Sequence, residues 1–331
     1  MSKPNLFQIA TKELSQDGFF TWLIQWADST NEEYDKELNV TAKSFVKLLS
    51  NNAADVITVS AGRQWNNIDI WAEVNGDIFI AIEDKTNTGE HSEQLERYKQ
   101  IAQEHYKNKR DNLFFIYLKT GNESIATINE VTKKGYTVID RKAVLEILNS
   151  CKSKNEILIE FRENLNLIES QTNSFNKLEH ITSNWKAAEG FYLKLQEMIL
   201  PEWSDWRYVA NQMGGFLGFW YHWTSPGDYS LYIQIENAFD YGIKLIVKIG
   251  DWEQSVDTLY SVLAALQNIS NQYGLNLIKP DRYRTGKTST LAIVENTFQT
   301  NSDGIFDIEN FHKTLKILEK ILDTHSTDKN K

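Results

Sequence analysis

The chain has a single cysteine, Cys151, in 331 residues. One thiol excludes an internal disulfide and any cysteine-based zinc site, and the six histidines do not cluster at ligand spacing. Only four prolines and sixteen glycines punctuate the sequence, which excludes fibrous classes. No apolar run approaches the roughly 18 residues that span a bilayer, and Met1-Ser-Lys-Pro-Asn-Leu-Phe7 carries no apolar signal core. No membrane partner is therefore expected, and the cytoplasm is the expected location. A basic excess is missing as well: the net charge is −10, with 17 basic and 22 acidic residues in 1–150 and 18 and 23 in 151–331. Nucleic-acid binding draws much of its affinity from Lys and Arg on phosphates, so here it would have to be weak, confined to a local groove, or assisted by a partner.

What is present is ordinary globular material, 41% hydrophobic and 24% charged, long enough for two domains at about 100 to 200 residues each. One stretch organises the rest. From Trp65 to Val74 the residues alternate, with Ile68, Ile70, Ala72 and Val74 on one face and Asp69, Trp71 and Glu73 on the other. Ile78, Ile80 and Ile82 repeat the pattern, leaving Phe79, Ala81, Glu83 and Lys85 opposite. Opposed residues of an antiparallel pair share a face, so the paired residue numbers must sum to an even number. A two-residue Asn75-Gly76 turn violates this parity, and a three-residue loop with Gly76 left-handed is expected instead. Asp69 then faces Glu83 directly or diagonally, with Lys85 on the same patch. Two neighbouring carboxylates repel unless neutralised, and a hard divalent cation with oxygen ligands is the usual answer.

The spacing of Asp69 and Glu83-Asp84-Lys85 resembles the PD-(D/E)XK nuclease superfamily. The run through Gly89-Glu90 and Gln94-Leu95-Glu96-Arg97-Tyr98 is similar to a bacterial branch with an IE(N/D)K…GE…QL..Y segment. Ile68 stands where the named pattern has proline. The resemblance implies a restriction-endonuclease-like mixed α/β fold, a sheet flanked by helices. It also implies catalytic residues Asp69, Glu83 and Lys85, and a metal held by Asp69, Glu83 and the backbone carbonyl of Asp84. Mg²⁺, with Mn²⁺ as substitute, suits these oxygen donors better than zinc. Glu13 resembles the acidic residue that the family's first helix presents to the metal; the alternative is a solvated glutamate favoured by the helix dipole. Gln94 and Tyr98 are expected to support the site, or else to be buried and paired to backbone. His91 is read as a surface residue, and Arg63 as a phosphate contact or a plain surface arginine. The implied activity is phosphodiester hydrolysis, of DNA by preference and in defence against foreign DNA. The rivals are a nuclease of RNA, a catalytically silent binding or regulatory module, and a mere ion-pair cluster.

In chain order, the patterns predict a helix capped by Thr11 or Ser15 and running through Trp26, helices near 31–49 (with Val40 inward), 90–109 and 141–149, and strands at 55–60, 112–119 and 136–140, closing a nuclease domain at 1–150. Residues 151–200 read as a helical connector with helices at 154–167 and 175–199. Residues 201–331, rich in Trp and Tyr, read as an α+β domain with strands at 216–224, 230–237, 242–249 and 289–294 and helices at 254–273 and 310–322. Its aromatics point to a core or a protein interface, through which a homodimer or partner protein would bind, or to base stacking; Lys279–Lys287 is its basic-aromatic cluster.

Overall fold

The computed structural model describes residues 3–86, 94–106, 112–199, 203–211 and 214–329. Two compact units emerge, the first from residues 1–123 and 127–170, the second from 124–126 and 171–331. Among the described residues no helix is long and apolar enough to cross a membrane.

The first unit opens with a short helix α1 (Leu6–Ile9), then α2 (Glu13–Gln25) and α3 (Lys36–Leu49). Asp35 caps α3 by accepting from the Leu38 N–H at 3.0 Å, so the helix starts five residues later than its apolar spacing suggested, and Val40 faces outward. Three strands follow, β1 (Val59–Trp65), β2 (Ile68–Val74) and β3 (Ile78–Lys85). Helix α4 (Gln94–His105), β4 (Leu113–Lys119), α5 (Ile125–Lys133), β5 (Thr137–Asp140), α6 (Arg141–Ser150) and α7 (Glu156–Thr172) continue the chain. The sheet order is β1-β2-β3-β4-β5, antiparallel across the first three strands and parallel from β3 to β5.

The first strand differs from the 55–60 expected. Asn75 holds residues 55–58 by side-chain hydrogen bonds to the N–H groups of Ile57 and Thr58 and the carbonyl of Asp55. Ladder pairing begins at Val59 and runs to Trp65. Asn66 and Asn67 make the turn into β2 with φ of 51° and 68°, the left-handed pair a two-residue hairpin requires and asparagine tolerates.

The β2–β3 hairpin follows the parity argument. Val74 pairs with Ile78 and Ile70 with Ile82, around a three-residue Asn75-Gly76-Asp77 loop in which Gly76 has φ 74°. Ile70, Ala72, Val74, Ile78, Ile80 and Ile82 enter one core with α2, α3, α6 and α7. Phe79 and Ala81 enter another on the opposite face, under Leu95, Tyr98 and Ala102 of α4. Ile68, beside the Asn66-Asn67 turn, joins this second cluster rather than the first. Both faces of β3 are therefore buried, as expected for a central strand joined to a parallel neighbour.

The helices of 151–200 are shared between the units. Helix α7 sends Leu158, Phe161 and Leu165 into the first core, while α8 (Leu178–Ser183) and α9 (Trp185–Met198) pack in the second unit. There a six-stranded antiparallel sheet is built from β6 (Ser204–Val209), β7 (Phe216–Thr224), β8 (Ser230–Ala238), β9 (Gly242–Gly250), β10 (Leu277–Ile278) and β11 (Ser289–Val294), in the order β10-β11-β9-β8-β7-β6. Leu217, Phe219, Leu231, Ile233, Leu245 and Val247 pack with α9, α10 (Val256–Ser270) and α11 (Ile308–Lys329) in a single core. Trp206 and Tyr221 belong to that core, whereas Trp203, Trp223 and Trp252 are exposed.

Phe161 stacks on Phe19 at 3.6 Å between ring centroids and meets Phe7 and Phe20 edge-on. Truncating a buried aromatic costs about 3–5 kcal/mol, whereas exposed positions change stability by roughly 0.5 kcal/mol or less. Phe161→Ala is expected to lower the urea midpoint accordingly, and Ile157→Ala, at an exposed position of the same helix, to leave it nearly unchanged.

Candidate active site

Register places the charged residues. One step beyond the Ile70–Ile82 pair sets Asp69 against Glu83, and the Asp84 N–H donates to Asp69 Oδ2 at 3.2 Å. On the β1 side the residue opposite Asp69 is Gln64, which has φ 57° and drops out of the ladder. Lys85 Nζ lies 2.5 Å from Glu83 Oε1 and 3.7 Å from Asp69 Oδ2. Asp69 is the outermost of the three, with its side chain 17% exposed against 1% for Glu83 and 8% for Lys85.

Burial dominates the electrostatics. It pushes the Glu83 carboxyl up to about 8, with the Asp69 charge adding to the rise and Lys85 opposing it. For Lys85, burial works toward the neutral amine, but Glu83, Asp69 and Glu13 together outweigh it and leave the ammonium favoured beyond its ordinary range.

Helix α2 closes the other side of β3. Its spacing puts Glu13, Gln16 and Asp17 on one stripe. Glu13 Oε1 accepts from the Thr86 N–H at 3.2 Å and the Thr86 hydroxyl at 3.4 Å, so Glu13 does reach the end of β3. Gln16 Nε2 donates to Asp84 Oδ1 at 2.6 Å, and Gln16 Oε1 accepts from the Thr120 hydroxyl at 2.5 Å. Burial raises the Asp84 carboxyl far above its usual range, and contact with the Asp17 carboxyl raises it further. Asp17 is itself pushed up to about 6 by burial, with Asp69 and Glu13 adding to the rise. Gln16, Asp17 and Thr120 escaped the sequence reading. The i, i+3, i+4 spacing of Glu13, Gln16 and Asp17 was the available signal for the first two; Thr120 lies 104 residues from its partner and gave none.

The other expected residues are placed differently. Gln94 Nε2 donates to the Tyr98 hydroxyl at 2.7 Å, and Tyr98 is buried beneath β3 and β4. Among the described residues neither is hydrogen-bonded to Asp69, Glu83 or Lys85. Arg63 donates to the Leu14 carbonyl at 2.8 Å. Gly89, Glu90 and His91 lie outside the described residues.

Among the described residues no group of three or more His, Cys, Asp or Glu side chains is arranged to hold a metal. A cation here would rest on two carboxylates, Asp69 and Glu83, and would need a main-chain oxygen beside them. The donor chemistry fits a hard ion: all of it is oxygen, and Glu83 Oε2 is buried without a hydrogen-bond partner among the described residues.

A mixed five-stranded sheet flanked by helices, with a carboxylate–lysine cluster at the end of its central strand, defines a restriction-endonuclease-like α/β unit. The chain belongs to the PD-(D/E)XK nuclease superfamily, whose family profile matches residues 5–176. No curated protein and no solved structure matches the chain.

The carboxyl shifts set a pH dependence for the metal-free protein. A carboxyl whose folded-state pKa is raised keeps its proton after the unfolded chain has released it, so its contribution to stability is full below the unfolded value and lost as pH rises through the folded one. For Asp17 and Glu83 that window runs from about 4 to about 8. The thermal midpoint without divalent cations is expected to fall between pH 5 and pH 8. Asp84→Asn, which keeps the oxygen that Gln16 grips and removes a carboxyl that the fold holds toward its protonated form at a cost that grows with pH, is expected to raise the pH 8 midpoint by roughly 2–4 °C, about 1 kcal/mol at this size. Calorimetric scans at the two pH values check both.

Proposed function

We propose that the first unit is a Mg²⁺-dependent nuclease that hydrolyses phosphodiester bonds, with DNA as its substrate. The observation that carries the reading is the convergence of Asp69, Glu83 and the Lys85 ammonium within 3.7 Å at the end of β3, in a chain of a nuclease superfamily. Asp69, Glu83 and the Asp84 carbonyl would hold the cation, with Glu13 at the edge of the site through Thr86. When bound, the cation supplies Lewis-acid polarisation of the phosphate and lowers the pKa of a bound water.

The chain's own groups divide the remaining work. Lys85 is held protonated by its carboxylate neighbours, so with no cation present it donates hydrogen bonds and is no base. Its role is to orient the attacking water and to offset charge on the non-bridging oxygens. Glu83 fixes the ammonium through the 2.5 Å contact, and Asp69, the more exposed carboxylate, fixes the edge from which substrate enters. Gln94 and Tyr98 act by packing beneath the strand. Mn²⁺ substitutes for Mg²⁺ in this scheme. Defence against foreign DNA is proposed on family grounds, and homodimer or partner-protein contacts are assigned to the exposed tryptophans of the second unit.

Asp69→Ala and Lys85→Ala are each expected to lower cleavage by about 10²-fold or more, the usual scale for removing one charge-stabilising group, and chelation by EDTA to abolish it. Parallel assays on single- and double-stranded DNA and on RNA decide the substrate. Cleavage of RNA alone would overturn the DNA assignment. Calorimetric metal binding without cleavage of any nucleic acid would point to a catalytically silent module.

A further inference from the structure

A buried chain of polar contacts runs away from the site. Gln16 bridges two strand ends, donating to Asp84 Oδ1 at 2.6 Å on β3 and accepting from the Thr120 hydroxyl at 2.5 Å just past β4. The Thr120 N–H in turn donates to the Lys85 carbonyl at 3.2 Å. The Thr120 carbonyl accepts from Arg141 Nη1 at 2.7 Å. Arg141, the first residue of α6, also holds Asn122 Oδ1 at 2.9 Å and Glu169 of α7 at 2.8–2.9 Å. Gln16, Asp84, Thr120 and Arg141 are each 6% exposed or less.

Such a chain does more than satisfy buried groups. Gln16 follows Glu13 by three residues, so fixing the Gln16 amide fixes the rotation and height of α2 at the turn that carries Glu13. The same amide grips the side chain of Asp84, which lies between Glu83 and Lys85 on β3. We infer that Gln16, held by Thr120, which Arg141 anchors in turn, is a positioning residue that aligns Glu13 and the Asp84 carbonyl with Asp69 and Glu83. Partners of this kind that orient metal ligands change metal affinity by about 10- to 100-fold when removed. The hydroxyl of Thr120 is the most separable link: Thr120→Val removes the donor to Gln16 while keeping the shape, and Thr120→Ser keeps the donor. This inference rests on the metal-dependent reading above.

The test measures Mn²⁺ affinity by titration calorimetry on the full chain, with amide hydrogen exchange at Asp84 and Thr86 as a readout that needs no catalysis. Wild type is expected to bind and Asp69→Ala to fail, which separates the parent reading from this one. Thr120→Val is then expected to weaken Mn²⁺ binding about 10-fold or more and to speed exchange at Thr86, and Thr120→Ser to restore both. A Thr120→Val protein with a lowered thermal midpoint but wild-type Mn²⁺ affinity and exchange would reduce the chain to a structural brace and overturn the inference. Should wild type bind no Mn²⁺, the parent reading and this one fail together.

Discussion

The even register between β2 and β3 is the constraint on which the first unit depends. Six aliphatic side chains, three from each strand, occupy one face of this hairpin, and the opposite parity carries Asp69, Glu83 and Lys85. A slip of one residue would turn every one of those aliphatics out of this core and carry the charges into it. At roughly 0.8 kcal/mol per buried methylene, the apolar face holds the register firmly enough to impose an unfavourable arrangement on the polar one. The three-residue Asn75-Gly76-Asp77 loop fits the same parity from the other end.

What the hairpin imposes is a concentration of charge where water is scarce. Burying an ion pair does not by itself stabilise a fold, because desolvation offsets the attraction. Here Asp69 and Glu83 meet the Lys85 ammonium, and Asp17 and Asp84 meet each other beside the same strand end. Three of these carboxyls are driven toward their protonated forms, and the lysine toward its charged one. An excess of buried acid is unfavourable for the bare protein and favourable for a cation. Polar groups from α2, the residue just past β4 and the start of α6 are hydrogen-bonded in series beside this strand end.

The two units solve burial differently. In the first, helices cover both sides of a sheet whose central strand is apolar throughout its first five residues, with α7 completing the core through Phe161. In the second, antiparallel strands alternate, and one face packs with α9, α10 and α11. Superfamily membership rests on residues 5–176, and the chemistry proposed lies entirely in the first unit.

Local alternation was enough to read the β2–β3 hairpin, its loop length, and the shared face of Asp69, Glu83 and Lys85, because side-chain direction in a strand has period two and a buried face fixes parity. The strand β4 was legible as an unbroken apolar run of strand length, and β7, β8, β9 and β11 as short strand-forming segments between turn signals. Other features were not. β1 has no clean alternation, and its turn is two asparagines in left-handed conformation. Val40 sits on an apolar-looking stripe that α3 turns outward, and α5 and β6 were passed over. Gln16 meeting Asp84 and Thr120, and Arg141 meeting Thr120 and Glu169, join residues 21 to 104 positions apart, and no periodicity reports such meetings. The sequence by itself determined which side chains share a strand face; only the tertiary structure decided which helix lies across that strand end and what grips it, since contacts between distant segments depend on packing that local spacing does not encode.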